Sequence, residues 1–372
     1  MTGHPVRNIL LYYSSQQVHT GSPRVLMRLV EGLDRSFFEP YFLAANEGDL
    51  SLELKKRGTN LIQGESGQIT RKSICRNLAN IFSLMRLLHK HRIALVHINE
   101  LGWNSELAIA AWLCRIPVFF HIHNPEKLSR QNLNCCVGSQ YLFVSKNLAQ
   151  RCGAQHLLGG KSRILYNPIT IERFAKGRSI RHELGIPDNV PVIGTVAQIC
   201  RRKGIDIVIE TADNVLKSLP HARFVVVGPD AIGEESFAAK MRFRICELGL
   251  ADRFIFCGAR DDIENVLASI DLFFLPARSE PFGMVIAEAM AARVPIVASN
   301  VGGIPEIIPT EAFGITAEPE KGRFAQQIIQ LLQSPERRVS ISENGYERVK
   351  SQFSDTIFNQ NISRIYSSML DH

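Results

Sequence analysis

The sequence predicts an α/β protein built of two Rossmann-like, doubly wound domains that face a cleft. Three observations lead there. Short apolar runs alternate with longer amphipathic ones almost throughout the 372 residues. Runs such as RFVVVG and DLFFLP are apolar without alternation, as strands covered on both faces are. The alternation also occurs twice, on either side of a polar stretch, ITIERFAKGRSIRHELGIPDNVPV, that carries Pro187 and Pro191. Strand–helix alternation of this kind argues for parallel sheets sandwiched by helices.

In the first half, strands are expected at 7–13, 39–45, 59–63, 94–99, 117–123, 140–145 and 162–168, with helices near 22–34, 49–57, 72–91 and 104–114. In the second half, strands are expected at 191–199, 222–228, 253–258, 271–276 and 295–299. Helices fill 204–219, 234–248, 261–269 and 283–292, and three more close the chain near 320–333, 336–351 and 354–369. The domains read as 1–175, 176–353 and a terminal segment 354–372.

Composition agrees with this. Hydrophobic residues are 45% and charged residues 21%, which is globular rather than disordered. No apolar run reaches the ~18 residues of a membrane span, and the opening apolar segment reads as a strand rather than a signal peptide. A cytoplasmic protein is expected. The eight cysteines form no C-x-x-C pair, so buried reduced thiols are expected rather than a zinc site. Net charge is +7, unevenly placed: residues 1–170 carry +10 and residues 171–372 carry −3. The basic half suits nucleic acid, an anionic membrane surface or anionic substrates. Its helix 71–92 carries Arg71, Lys72, Arg76, Arg86, Lys90 and Arg92. Its apolar residues Ile74, Leu78, Ile81, Phe82, Met85 and Leu88 are expected to pack on the sheet.

Ligands of open parallel sheets bind outside the carboxyl ends of the strands, so the residues that follow strands carry the functional reading. After PVIGTVAQI comes CRRKGID. Gly204 permits a tight turn into a helix, and Lys203 and Arg202 stand at the helix mouth. That is an anion site for a phosphate, or a solvated basic turn. After DLFFLP comes ARSEPFGMVIAEAM. Glu280 lies in the turn and Glu288 within the apolar helix, where a carboxylate needs a partner. Sugar hydroxyls suit it; the simpler alternative is a helix-start charge and a surface charge. After PIVAS, Gly302 and Gly303 make a turn before another helix. In the first half Gly21 precedes the first helix, without the G-x-G-x-x-G of a dinucleotide site. His121 and His123 share a face at a strand end, with no third metal ligand evident.

The stretch SEPFGMVIAEAMAARVPIVASNVGGIPEII resembles the E-x7-E motif of the retaining glycosyltransferases of family 4, which have the GT-B fold. The similarity extends over nearly the whole chain. TGSPRVLMRLVEGL resembles the family's glycine loop and first helix, PVFFHIHNP its histidine strand, RILYNPI its inter-domain segment, and VAQICRRKGIDIVIETA its phosphate-binding segment. The closing FSDTIFNQNISRIYSSML resembles the helix that crosses back to the first domain. The resemblance implies a nucleotide-sugar donor held mostly by the second domain, and a glycan or lipid-linked acceptor. Lys203 is assigned to the donor diphosphate, Glu288 to the ribose and Glu280 to the transferred sugar. The N–H groups of Phe282, Gly283 and Met284 lie near the diphosphate, Gly21 approaches from the first domain, and His123 lies by the reacting carbon. The family's usual arginine five residues before the lysine is Gln198 here, which leaves Arg201 or Arg202 to supply the charge, or the diphosphate more weakly held. The usual double glycine of the first loop is Thr20–Gly21.

No D-x-D carboxylate pair is placed for a metal, so the lysine and helix start are expected to replace it, with no metal or cofactor. Nucleic acid is not an expected partner; peripheral contact with an anionic membrane is. The alternatives are a nucleotide-sugar epimerase of the same fold, which would act on donor alone, and a non-catalytic nucleotide-sugar-binding protein. On the sequence alone, a free nucleoside diphosphate is expected to bind Glu280→Ala nearly normally and Glu288→Ala poorly.

Overall fold

The computed structural model describes residues 6–18, 20–67, 69, 73–101, 105–125, 140–320 and 322–370. The chain divides into two compact units, one of residues Met1–Pro168 with Asp355–His372 and one of Ile169–Ser354.

The first unit holds a seven-stranded sheet whose neighbouring strands run parallel. Its strands are β1 (Arg7–Tyr12), β2 (Phe38–Ala44), β3 (Asn60–Gln63), β4 (Ile93–Ile98), β5 (Val118–Ile122), β6 (Gln140–Phe143) and β7 (Ser162–Ile164), in the order β3-β2-β1-β4-β5-β6-β7. Burial on both faces explains the unbroken apolar runs: all five residues of β5 are buried. The order reverses direction between β1 and β4, the switch point near whose carboxyl ends open parallel sheets bind ligands. The last helix, Asp355–Leu370, packs on the first helix, Gly21–Gly32, and on β4. A Cβ on Gly32 would lie 1.9 Å from the Asn359 side-chain amide, so the two helices meet closely there, and a larger residue would require the Asn359 side chain to turn away. Tyr366 is wholly buried beside Phe38, His97 and Phe119, with its hydroxyl 2.7 Å from His97 Nδ1.

The second unit holds a parallel six-stranded sheet, β10-β9-β8-β11-β12-β13. The strands are β8 (Val192–Val196), β9 (Arg223–Val227), β10 (Phe254–Phe256), β11 (Leu272–Leu275), β12 (Ile296–Ser299) and β13 (Ile315–Ala317). Ile193, Val208, Phe224, Phe274 and Phe324 centre its core. Its switch point lies between β8 and β11.

Several elements differ from expectation. The chain changes units at Pro168, ahead of 175, because Ile169 N–H donates to Phe353 O at 2.8 Å and both Ile171 and Phe174 are buried. The polar stretch then belongs to the second unit: Arg181 pairs with Asp271 at 2.7 Å and donates to Ser269 O. Strand β13 and the helices Lys146–Arg151 and Ala154–Leu158 were not expected. The helix Ile74–Lys90 buries Asn77, Ile81, Leu84 and Leu88, but leaves Ile74, Leu78 and Phe82 exposed, so only part of the expected stripe packs on the fold. The cysteines also differ: Cys152 and Cys200 are buried, whereas Cys75 and Cys246 are exposed. Arg71, Lys72, Cys135 and Cys136 lie outside the described residues. Among the described residues no helix is long and apolar enough to cross a membrane.

Candidate functional site

In the second unit the switch point gathers most of the expected residues. Strand β8 leads through the exposed Gln198 into a single 3-10 turn, Arg201–Lys203, and then into the helix Ile205–Ser218. Strand β11 leads through Arg278–Phe282 into the helix Met284–Ala291. These segments are sewn together. Arg278 N–H donates to Arg202 O at 2.8 Å, its guanidinium donates to Arg201 O, and it grips Asp206 with two bonds of 2.7 Å. Gly204 sits at φ +74°, where a Cβ would lie 2.0 Å from Pro276 O. The lysine turn therefore rests directly on the β11 exit, backbone against backbone.

That packing places Lys203 Nζ 2.5 Å from Glu280 Oε2, with the two side chains only 13% and 10% exposed. Glu280 is held from its far side by the turn after β12. Gly303 N–H donates to Glu280 O at 2.9 Å, and at Gly302, φ +60°, a Cβ would lie 1.9 Å from the same oxygen. Glu288 is buried in the helix Met284–Ala291. In that helix the backbone ladder begins with Ile286 and Ala287 donating to Gly283 O, so the N–H groups of Met284 and Val285 lie ahead of it. Phe282 is buried against Phe353. The alternative left open by Gln198 is narrowed by geometry. The Arg201 guanidinium lies over the Phe237 ring, whereas that of Arg202 reaches Ser279 O at 3.5 Å, on the Glu280 turn.

A buried cation–carboxylate pair beside a helix start, with a second carboxylate further along the helix, can do two things at once. The ammonium and helix N–H groups favour a diphosphate. The carboxylates accept hydroxyl hydrogens.

In the first unit, His123 Nε2 lies 3.0 Å from Asn99 Oδ1. Asn99 in turn donates from Nδ2 to Ser22 O at 3.0 Å, and its N–H donates to Tyr12 O. Because Nδ2 is committed to a carbonyl, Oδ1 is the acceptor, and Nε2 of His123 must carry the hydrogen. The lone pair of the neutral ring is then on Nδ1. Asn99 also ties the histidine to the first helix, where Gly21 is the first residue and Thr20 the N-cap. Sequence reasoning missed Asn99; its only signal was a polar residue directly after an apolar strand. His121 lies 4.2 Å from His123 by ring centroids, and neither of its nitrogens has a hydrogen-bond partner. Burial holds His97 and His123 down to about 3 and His121 well below the usual imidazole range, with neighbouring histidines adding to the effect on His121 and His123. Among the described residues no group of three or more His, Cys, Asp or Glu side chains is arranged to hold a metal. A pocket of about 170 Å³ opens at the carboxyl ends of β1, β2 and β3, lined by Tyr12, Tyr13, Gln16, Asn46 and Glu65 among others.

Comparison with known proteins follows the same division. The family model described as Glycosyltransferase Family 4 matches residues 19–173, and that described as Glycosyl transferases group 1 matches residues 177–348. The chain is 28% identical over 222 residues to a GDP-mannose-dependent monoacylated alpha-(1-6)-phosphatidylinositol monomannoside mannosyltransferase of Corynebacterium glutamicum, covering 58% of this chain and 56% of that one. It is 26% identical over 322 residues to the UDP-Gal:alpha-D-GlcNAc-diphosphoundecaprenol alpha-1,3-galactosyltransferase of Escherichia coli, covering 79% and 82%. The chain spans about half the length of most of the curated relatives it matches. In fold it is similar to a glycosyltransferase of Rickettsia africae, with TM-score 0.88, 19% identity and 99% of each chain covered. It is also similar to HepE of Anabaena in complex with UDP, with TM-score 0.83, 22% identity and 98% and 100% covered.

Proposed function

We propose, from the two family models that match residues 19–173 and 177–348, that this chain is a family 4 glycosyltransferase that moves a sugar from a nucleotide-sugar donor to a glycan or lipid-linked acceptor, with retention at the anomeric carbon and without a metal. The observation that carries the proposal is the buried Lys203–Glu280 pair at the start of the helix that bears Glu288. Breaking the bond between the anomeric carbon and the diphosphate puts negative charge on the leaving group. Lys203, Arg202 and the N–H groups at the helix start stabilise that charge as it grows, and a single preorganised donor of this kind is worth ~10²–10³ in rate. Glu288 holds the ribose hydroxyls, and Glu280 holds hydroxyls of the transferred sugar. In this reading His123 is assigned to the reacting carbon, with its ring orientation fixed by Asn99. The acceptor is assigned to the first unit and its pocket at β1–β3. Relatives that act on phosphatidylinositol and undecaprenol diphosphate sugars favour an acceptor carried by an envelope lipid. Work in the cytoplasm, in peripheral contact with the inner face of the membrane, belongs to the same reading.

The test is incubation with UDP- and GDP-sugars, with and without lipid-linked saccharides, following nucleotide release and the anomeric configuration of the product. Release that depends on acceptor supports transfer. Conversion of the donor sugar without an acceptor would show an epimerase, and binding without turnover would show a binding protein.

A further inference from the structure

The helix Ile74–Lys90 contains no acidic residue, and its apolar arc is wider than the fold uses. At about 100° per residue, the buried Asn77, Ile81, Leu84 and Leu88 fall within ~60° of one another. Ile74, Leu78 and Phe82 carry the arc round by a further ~100°. They are 61%, 51% and 60% exposed. Beyond them lie the exposed Arg76, Arg86 and Lys90. A helix that borders a fold ordinarily turns polar once it leaves the core. Here large apolar side chains at i, i+4 and i+8 face solvent beside a purely basic flank, the pattern of a helix lying in a lipid headgroup layer.

Charge selects the occupant. A second copy docked through this face in a two-fold dimer would set one acid-free basic row against another. An anionic lipid surface neutralises the row and takes up the apolar side chains. The position matters too. Asn80, on the same helix, donates to Glu65 O and to the buried carboxylate of Glu106, and Glu65 borders the pocket at β1–β3. The helix is thus tied to the loop that edges that pocket, through the side of its buried face away from the exposed stripe.

We propose that the Ile74–Leu78–Phe82 face seats the protein on an anionic lipid surface, with Arg76, Arg86 and Lys90 against the lipid phosphates, so that the neighbouring pocket receives an acceptor borne by that surface. This deepens the transferase reading by naming how a lipid-borne acceptor is met; the lipid contact itself stands without it.

The experiment is co-sedimentation of the full chain with vesicles of phosphatidylcholine alone, or of phosphatidylcholine and phosphatidylglycerol in equal parts, at low and high salt. Binding to the anionic vesicles only, weakened by salt, is expected. Arg76→Gln with Arg86→Gln and Lys90→Gln should weaken it by about fivefold per residue. Ile74→Ser with Leu78→Ser and Phe82→Ser should weaken it by about tenfold or more and abolish what survives high salt. Circular dichroism should match the parent in both variants, since the residues changed are exposed. Equal binding to neutral vesicles, no binding at low salt, or undiminished binding of the serine variant would overturn the proposal. So would a parent dimer that the serine substitutions dissolve without affecting vesicle binding. Vesicle binding without nucleotide release from any donor would remove the transferase reading and leave the lipid face standing. Turnover without vesicle binding would do the reverse.

Discussion

Replacing Glu280 with alanine should tighten the hold on a free nucleoside diphosphate rather than leave it unchanged. The sequence alone suggests near-normal binding, because the product lacks the sugar that Glu280 is assigned to hold. The ion pair alters that expectation. In the donor-free protein the Lys203 ammonium is answered by Glu280 at 2.5 Å, in surroundings that leave both side chains largely buried. A diphosphate must share or displace that carboxylate, which also repels it. A charge-assisted hydrogen bond is worth ~1.5–3 kcal/mol. A buried cation stripped of its partner is costly until another anion arrives. Removing Glu280 therefore moves about 1.5–3 kcal/mol to the side of the complex, about 10- to 150-fold in Kd. The same change should lower kcat, and the donor-free variant should melt below the parent, with the difference recovered on adding UDP or GDP. Titration calorimetry of UDP and GDP with the parent, Glu280→Ala, Lys203→Ala and the double variant separates the terms, and the cycle gives the coupling between the two residues. If Glu280→Ala loses affinity as Lys203→Ala does, the carboxylate holds the ammonium in place instead of competing for it, and the reasoning fails.

Glu288→Ala should raise KM and weaken nucleoside diphosphate binding by about 10- to 150-fold while leaving kcat near the parent's, because the ribose is held alike before and during reaction; steady-state kinetics decide it, and a fall in kcat alone would refute it. Transfer should persist in excess chelator, and a loss of more than about tenfold, restored by magnesium or manganese, would contradict metal independence. Asn99→Asp should set a carboxylate on the Nε2–H of His123 and favour the imidazolium, moving the acid limb of the kcat/KM profile up by about 1–3 pH units; an unmoved limb would show that the histidine does not report through Asn99. Stability should fall with acid. His97, His121 and His123 are neutral when folded, with values depressed to about 3 for the first and last, whereas the unfolded chain takes up protons near 6.5. The stability they contribute is present above pH ~6.5 and is lost as pH falls from there toward the folded values, by about 2 kcal/mol each at pH 5. Urea unfolding followed by circular dichroism at pH 7 and pH 5 checks this, and equal midpoints would refute it.

What the sequence revealed depended on how local the cause was. Strands such as β9 and β11 were legible because their burial on both faces is written as an unbroken apolar run. Strand β13 was not, because Ile315–Ala317 offers three residues with only the first buried. The helix Lys146–Arg151 is barely longer than a turn and leaves no period to read. Glu280 and Glu288 stood out as carboxylates in apolar surroundings, and both are buried. Their partners were another matter. Lys203 and Glu280 lie 77 positions apart, and nothing local in either segment says that the ammonium meets that carboxylate. Nothing in the segment ARSEPFG marks Arg278 either, and its grip on Asp206 and on the lysine turn emerges only from the packing of β8 beside β11. For the helix Ile74–Lys90 the periodicity located an apolar arc but could not say how much of it the fold would cover.

The return of the final helix to the first unit sets an order of assembly on the growing chain. The second unit, Ile169–Ser354, is continuous and has all its residues once Ser354 has emerged. The first is not: its opening 168 residues must wait for Asp355–Leu370 to fill the place beside His97 and Phe119 that Tyr366 occupies. At ~5–20 residues per second, the roughly 190 residues between take about 10–40 s to make. For that interval the first sheet stands with one apolar flank bare, open to a chaperone or to another nascent chain. Of the two units, the one whose synthesis begins first is thus the later to be finished.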